Sequence, residues 1–323
     1  MYSKIVVPLD GSELAEGVLP HVAEVIRGRE SRVYLLSASP LAKRLTPAAV
    51  DVQPASATVP EDLQGVMREL MEYLRTTAKM LEPAASDVWI GVRFGRPADT
   101  ILAFADEVEA DLIAMSTHGR SGIHRWVFGS VTDRLLHGAA CPVLLVRARQ
   151  TDAATALSYQ RILVPLDGSE PAEQIIPYVK ALIRPRYTRI SLVSVLTTGL
   201  GDRTVTLLTS YPPGMQLATT ALRQAEVQLR VYLRSVAAAL RERGAIVSIN
   251  IRQGSPADEI LTLAAEIEAD LIGMTTHGLS GVSRWVYGNV AGKILQGAHS
   301  PVLLIRPTTG METRSTKRGG KEI

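Results

Sequence analysis

The chain has 323 residues, 46% of them hydrophobic, which is enough to bury a core in each of two domains of average size. Its 35 basic and 32 acidic residues leave a net charge of +3. Much of the excess sits in the last stretch, where Arg314, Lys317, Arg318 and Lys321 meet only Glu312 and Glu322, so the pI of 9.0 does not imply a basic face that grips nucleic acid.

A single cysteine, Cys141, rules out an intrachain disulfide and a cysteine-rich metal site. The opening MYSKIVVPLDGS lacks the apolar run of a signal peptide, and no run of apolar residues is long enough for a membrane span. A cytoplasmic protein is expected.

Ile5–Leu9 is a short apolar run ending in Asp10-Gly11, which predicts a buried strand and a turn. Ser12 is placed to cap a helix running to about Arg27, with Glu13 and Glu16 near its positive end and Pro20 inside it at the cost of a hydrogen bond. Next come a strand at Arg32–Ala38, a loop, a long helix from Glu61 to Leu81 and a strand at Val88–Phe94. A helix Ala98–Val108, an apolar strand Asp111–Met115, a glycine-bearing loop, a helix Gly129–Gly138 and a strand Pro142–Arg147 complete the first half.

The second half repeats the first. Lys4–Glu13 (KIVVPLDGSE) returns as Arg161–Glu170 (RILVPLDGSE), and Asp111–Arg147 matches Asp270–Arg306 with 22 of 37 positions identical. The repeat is the length of a whole domain. The predicted organisation is domain one at 1–149, a linker at 150–158, domain two at 159–307 and a disordered tail at 308–323. Copy two carries its strands at Ile162–Leu166, Ile190–Val195, Ile246–Arg252, Leu271–Met274 and Pro301–Arg306. Strands alternating with helices predict an α/β protein of two doubly wound domains, each a five-stranded parallel sheet flanked by helices. Ligands of such sheets sit beyond the carboxyl ends of the strands.

The fourth strand of copy one runs into Ser116-Thr117-His118-Gly119, then nine residues, then Gly129-Ser130; copy two has Thr275-Thr276-His277-Gly278, nine residues, and Gly288-Asn289. Glycine lets a backbone approach a ligand closely, and a helix opening at Gly129-Ser130 offers free amides and a positive dipole end to a phosphate. An ordinary turn and helix cap is the competing interpretation of the same residues.

These motifs resemble the universal stress protein family in its tandem form. Gly119-x9-Gly129-Ser130 and Gly278-x9-Gly288-Asn289 are similar to the nucleotide-binding signature G-x2-G-x9-G followed by Ser, Thr or Asn. VVPLDGSE and LVPLDGSE, THGxSG, and PVLLVR and PVLLIR add to the likeness, which covers nearly the whole chain. The first glycine of the signature falls at Ser116 and Thr275, and small hydroxyl residues there can donate to sugar or phosphate.

The resemblance implies an adenine nucleotide alpha hydrolase-like fold and bound ATP, with AMP or ADP as alternatives and Mg2+ as a companion. It implies that Asp10 and Asp167 contact the nucleoside, that Pro8, Ala38, Met115, Pro165, Val195 and Met274 border the base, and that Val131 and Val290 follow the phosphate-binding helix starts. It further implies that the two copies pair through their last strands as an intrachain pseudo-dimer, with a homodimer also compatible. Arg120 has no counterpart in copy two, where Leu279 stands, which predicts tighter binding by domain one.

His118 and His277 recur, but no second ligand stands at metal spacing in copy two, where His124 has become Ser283; a loop-ordering hydrogen bond fits them better. His21, His137 and His299 have no counterparts, and Cys141 becomes Ser300. Neither a repeated Ser-His-Asp set nor a GxxxxGK loop occurs, so at most slow ATP hydrolysis is expected. An interaction module that works by pairing is the competing function.

Overall fold

The computed structural model describes residues 1–40, 61–117, 129–147, 157–197, 214–276 and 288–307. The first copy supplies β1 (Lys4–Pro8), α1 (Glu13–Glu16), α2 (Leu19–Ile26), β2 (Arg32–Ser39) and α3 (Glu61–Ala78). It continues with β3 (Asp87–Phe94), α4 (Pro97–Glu107), β4 (Leu112–Ser116), α5 (Ser130–Gly138) and β5 (Val143–Val146). The second supplies β6 (Arg161–Pro165), α6 (Glu170–Glu173), α7 (Ile176–Leu182), β7 (Arg189–Leu196) and α8 (Gly214–Arg241). It ends with β8 (Ile246–Gln253), α9 (Pro256–Glu266), β9 (Leu271–Thr275), α10 (Asn289–Gly297) and β10 (Val302–Ile305). The predicted tail and most of the predicted linker lie outside the described residues.

The expected helix from Ser12 to Arg27 is two helices. Ser12 caps α1, its Oγ accepting from the Ala15 amide at 3.2 Å, and α1 stops at Glu16. Pro20 opens α2 instead of bending one long helix. In the first turn its missing N–H costs nothing, because that position has no intrahelical acceptor. Pro177 does the same in α7.

Each half is a parallel sheet of five strands, and the halves join into one sheet in the order β3-β2-β1-β4-β5-β10-β9-β6-β7-β8. The join is antiparallel, with Val302 opposite Leu145, Leu303 opposite Leu144 and Leu304 opposite Val143. The expected pairing of the two copies through their last strands is therefore present. Strand side chains alternate between two cores: Ile5, Val7, Leu144 and Leu303 face α1, α2 and their counterparts, while Val6, Leu145, Val302 and Leu304 face α4, α5 and theirs. Burial on both faces explains why these strands read as unbroken apolar runs.

The residues entering β1 and β6 bind the opposite domain. Tyr2 donates its hydroxyl to the Tyr178 carbonyl at 3.0 Å, and the Tyr159 hydroxyl lies 2.9 Å from His21 Nδ1. The Tyr159 amide donates to Glu24 Oε1 at 3.0 Å, and the same carboxylate pairs with Arg184 at 2.6 Å and Arg27 at 2.9 Å. At the same edge Asp111 accepts from the Ser3 and Lys4 amides, and Asp270 from those of Gln160 and Arg161. The repeated aspartates that open β4 and β9 thus fix the strands beside them.

Burial lowers the His21 imidazole from its usual 6.5 to about 4. A histidine held neutral in the fold favours the native state at neutral pH. That contribution fades as pH falls from about 6.5 toward 4, because the unfolded chain takes up the proton first. Denaturant titrations at pH 7 and pH 4 should show about 3 kcal/mol of stability lost through this group, and His21→Gln, which keeps a partner for Tyr159, should lose correspondingly less.

Candidate functional site

A crevice opens in a doubly wound sheet where the helices following two neighbouring strands go to opposite faces. Strands β1 and β4 are such neighbours: α1 and α2 join the core of one face, α4 and α5 that of the other. The switch point of domain one lies beyond Pro8 and Ser116, and that of domain two beyond Pro165 and Thr275.

Asp10 and Asp167 are exposed on the turns leaving β1 and β6. Asp10 Oδ1 accepts from the Ser12 amide at 3.0 Å and from the Ser12 hydroxyl at 2.6 Å, and Asp167 repeats both bonds with Ser169 at the same distances. The turn-and-cap role is therefore present, and it occupies Oδ1 of each carboxylate. Pro8, Pro165, Ala38 and Val195 are half-buried near the ends of their strands. Met115 and Met274 are buried in the penultimate positions of β4 and β9. Ala38, Met115 and Val131 all pack on the α4/α5 core, as Val195, Met274 and Val290 do on the matching core of domain two.

Gly129 is the N-cap of α5 and Gly288 that of α10, each with the first helical residue, Ser130 or Asn289, exposed behind it. At Gly129 the backbone takes φ −58°, which any residue adopts, and a Cβ built there meets no atom of the described residues within 4 Å. Neither strain nor crowding asks for glycine there. The two copies differ in what their helix starts do. The Gly288 amide donates to the Thr276 carbonyl at 3.1 Å, drawing the start of α10 onto the end of β9. No matching bond from Gly129 to Thr117 occurs among the described residues. Ser116, where β4 ends, is buried at 9% exposure, and among the described residues its hydroxyl has no hydrogen-bond partner. Such a group ordinarily finds a partner in protein, water or ligand. Gly119, Arg120 and Gly278, with His118, His277 and Leu279, lie outside the described residues.

Two tyrosines missing from the expected site sit close to it. Tyr73 on α3 and Tyr232 on α8 have buried hydroxyls beside Glu16 and Asp10 in one copy and Glu173 and Asp167 in the other. The sequence does carry a signal for them, the triplet Tyr-Leu-Arg repeated at 73–75 and 232–234. Cys141 is half-buried, and burial pushes its thiol up to about 12, which fits a small packing residue rather than a nucleophile. No group of three His, Cys, Asp or Glu placed to hold a metal occurs among the described residues. A cleft of about 610 Å³ lined by His21, Arg161, Asp270 and His299 lies where the chain enters β6, at the opposite edge of the sheet from the switch points.

A family model described as the universal stress protein family matches residues 1–147 and again 158–306. A universal stress protein of Methanocaldococcus jannaschii is 32% identical over 152 residues, 46% of this chain and 83% of that protein. One of Methanothermobacter thermautotrophicus is 32% identical over 154 residues, 46% of this chain and 97% of that protein. Each relative thus corresponds to about half of this chain. Among solved structures, a universal stress protein from Archaeoglobus fulgidus superposes with a TM-score of 0.65 at 21% identity, covering 95% of this chain and 97% of that one, which shows the shared fold.

Because a Cβ at Gly129 meets nothing among the described residues and its φ is ordinary, Gly129→Ala should lower stability by at most about 1 kcal/mol, the cost of a poorer N-cap, as measured by denaturant unfolding without added ligand. A loss of several kcal/mol would show that the glycine is there for the fold.

Proposed function

The chain belongs to the universal stress protein family, and on that premise we propose that it is a cytoplasmic regulatory protein that binds an adenine nucleotide, ATP or else ADP or AMP, at the switch point of its first domain. The observation that carries this is a convergence beyond β1 and β4. An exposed carboxylate with one oxygen outside the cap, a buried Ser116 hydroxyl without a partner among the described residues, and a helix start at Gly129 that no described residue crowds belong to the same end of the sheet.

The roles follow from the chemistry of each group. Asp10 Oδ2 accepts from a ribose hydroxyl or the adenine amine, while Oδ1 remains on Ser12. Pro8, Ala38 and Met115 border the base, and Ser116 donates to the sugar or a phosphate. The amides of Gly129, Ser130 and Val131, at the positive end of α5, face the phosphates, with Gly119 and Arg120 completing the cradle. In domain two the same roles fall to Pro165, Asp167, Val195, Met274, Thr275, Gly278, Gly288, Asn289 and Val290. Mg2+ arrives with the phosphates, since it binds readily through phosphate oxygens and water. Occupancy alters the chain's conformation and its binding of partners, and any hydrolysis is slow for want of a placed base.

A second interpretation applies to domain two. Its Gly288 amide is already committed to Thr276, so domain two binds nucleotide weakly and serves mainly as the pairing partner of domain one.

Mass analysis of the purified full-length chain should find retained adenine nucleotide, and calorimetric titration of stripped protein with ATP and Mg2+ should give one tight site per chain. Asp10→Asn keeps an acceptor for Ser12 while removing the charge and one acceptor oxygen, and should weaken that site about tenfold or more. Asp167→Asn should leave it nearly unchanged. Absence of both retained nucleotide and heat of binding would overturn the proposal.

A further inference from the structure

Laid against each other, the two copies differ at one corner of the molecule, where domain two has a surface that domain one lacks. The corner lies at the amino edge of the sheet, away from the switch points. Two turns form it, 184–189 between α7 and β7 and 241–246 between α8 and β8. The Arg186 amide donates to the Gly244 carbonyl at 2.8 Å and the Ile246 amide to the Thr188 carbonyl at 2.9 Å, which seats the turns side by side. Arg189 and Ile246 are register partners where the two strands begin.

In domain one the same register pair is Arg32 and Asp87, joined as an ion pair at 2.5 Å. Ile246 takes the place of that aspartate and is 53% exposed. Tyr187 takes the place of Glu30 and is 72% exposed. Arg241 and Arg243 stand where domain one has Glu82 and Ala84. Arg241 is bonded to the Val247 carbonyl at 2.7 Å, and Arg184 is paired with Glu24. Arg186, Arg189 and Arg243 are exposed and have no ion pair among the described residues. Glu242 is the one acidic residue of the two turns.

The corner is also held in shape. Domain one turns through Gly28 at φ 73°; domain two has Pro185 there and puts Arg186 in the left-handed region instead, at φ 69°, which costs a non-glycine residue free energy. The Tyr187 and Thr188 amides donate to the Arg184 carbonyl at 3.1 and 3.0 Å, and the Arg184 amide donates to the Thr188 hydroxyl at 2.8 Å. Tyr187 is thus carried on a pinned backbone, and a tyrosine loses little torsional freedom when it meets a partner.

We propose that this corner docks an acidic segment of a partner protein, which sets a large apolar side chain on Tyr187 and Ile246 and its carboxylates on Arg186, Arg189 and Arg243. Tyrosine and arginine are among the side chains that most often carry binding energy between proteins. A nucleic-acid backbone would engage the arginines but offers nothing to Ile246, and two apolar side chains on a hydrogen-bonded turn are too few to hold a bilayer. The chain's own last residues, with Arg314, Lys317, Arg318 and Lys321, have the wrong sign of charge. The docking corner stands whether or not the switch points bind nucleotide.

The test is selection from a displayed library of random peptides on the immobilised full-length chain, with Tyr187→Glu/Ile246→Asp as the counter-selection target. These replacements install the residue types of Glu30 and Asp87 and give Arg189 a carboxylate, so the double variant should melt no lower than the wild type. Peptides retained by the wild type alone should combine Asp or Glu with a large apolar residue. A selected peptide, followed by fluorescence anisotropy, should bind the double variant at least about tenfold more weakly, and Arg189→Gln about threefold more weakly. Its affinity for the wild type should fall as salt rises from about 50 to about 200 mM. No enrichment over the double variant, or enrichment of peptides without acidic residues, would overturn the proposal. So would tighter wild-type-specific binding of a single-stranded oligonucleotide or of phosphatidylserine-containing vesicles, or self-association in sedimentation that the double variant loses, since each gives the corner a different occupant.

Discussion

Three facing residue pairs, Val302 with Leu145, Leu303 with Leu144 and Leu304 with Val143, hold the architecture together. Each half alone would end its sheet on a short, fully apolar strand with unpaired backbone groups, the kind of edge that invites uncontrolled pairing. Setting β5 and β10 against each other satisfies both edges at once. It also carries both cores across the join, so that side chains of the two domains belong to the same packed layer on each face. The duplication supplies, within one chain, a partner that a single-domain relative would need a second copy to provide.

Around this seam the halves are similar without being equal. Tyr2 and Tyr159 each reach into the opposite domain, yet one meets a backbone carbonyl and the other a buried histidine. Glu24, buried and bridged by Arg27 and Arg184, has Ala181 as its counterpart. A buried carboxylate of this kind adds little net stability but is costly to leave unpaired, so it ties the relative position of the domains to one arrangement. The inequality extends to the opposite edge, where the Gly288 amide is spent on Thr276 and, among the described residues, the Gly129 amide makes no matching bond.

The switch point gathers polar groups that the cores cannot use. Asp10 and Ser116 come from neighbouring strands, Gly129 from a helix on the far face, and each is presented at the sheet's carboxyl end because its strand or helix must stop or start there. The divided helix after β1 matters to this arrangement. The four-residue α1, capped by Ser12 and ending at Glu16, keeps the Asp10 turn as a separate capped unit at the end of β1.

Much of this is written in the sequence, because it depends on local patterns. Apolar runs of strand length, Asp-Gly turns, a serine cap and two copies of one motif set required two doubly wound domains and marked the turn of Asp10 and the helix starts at Gly129 and Gly288. Asp10 and Ser116 were legible as candidates because their types and spacing are chemical signals within a few residues. The split at Pro20, the unsatisfied Ser116 hydroxyl, the Tyr73–Glu16 neighbourhood, the shift of His21 and the unequal Gly129 and Gly288 amides were not. Each of these depends on which groups are brought together from distant positions and which are shielded from water. The alternation of residues fixes which faces must be buried; only the packed sheet decides what each buried polar atom finds when it gets there.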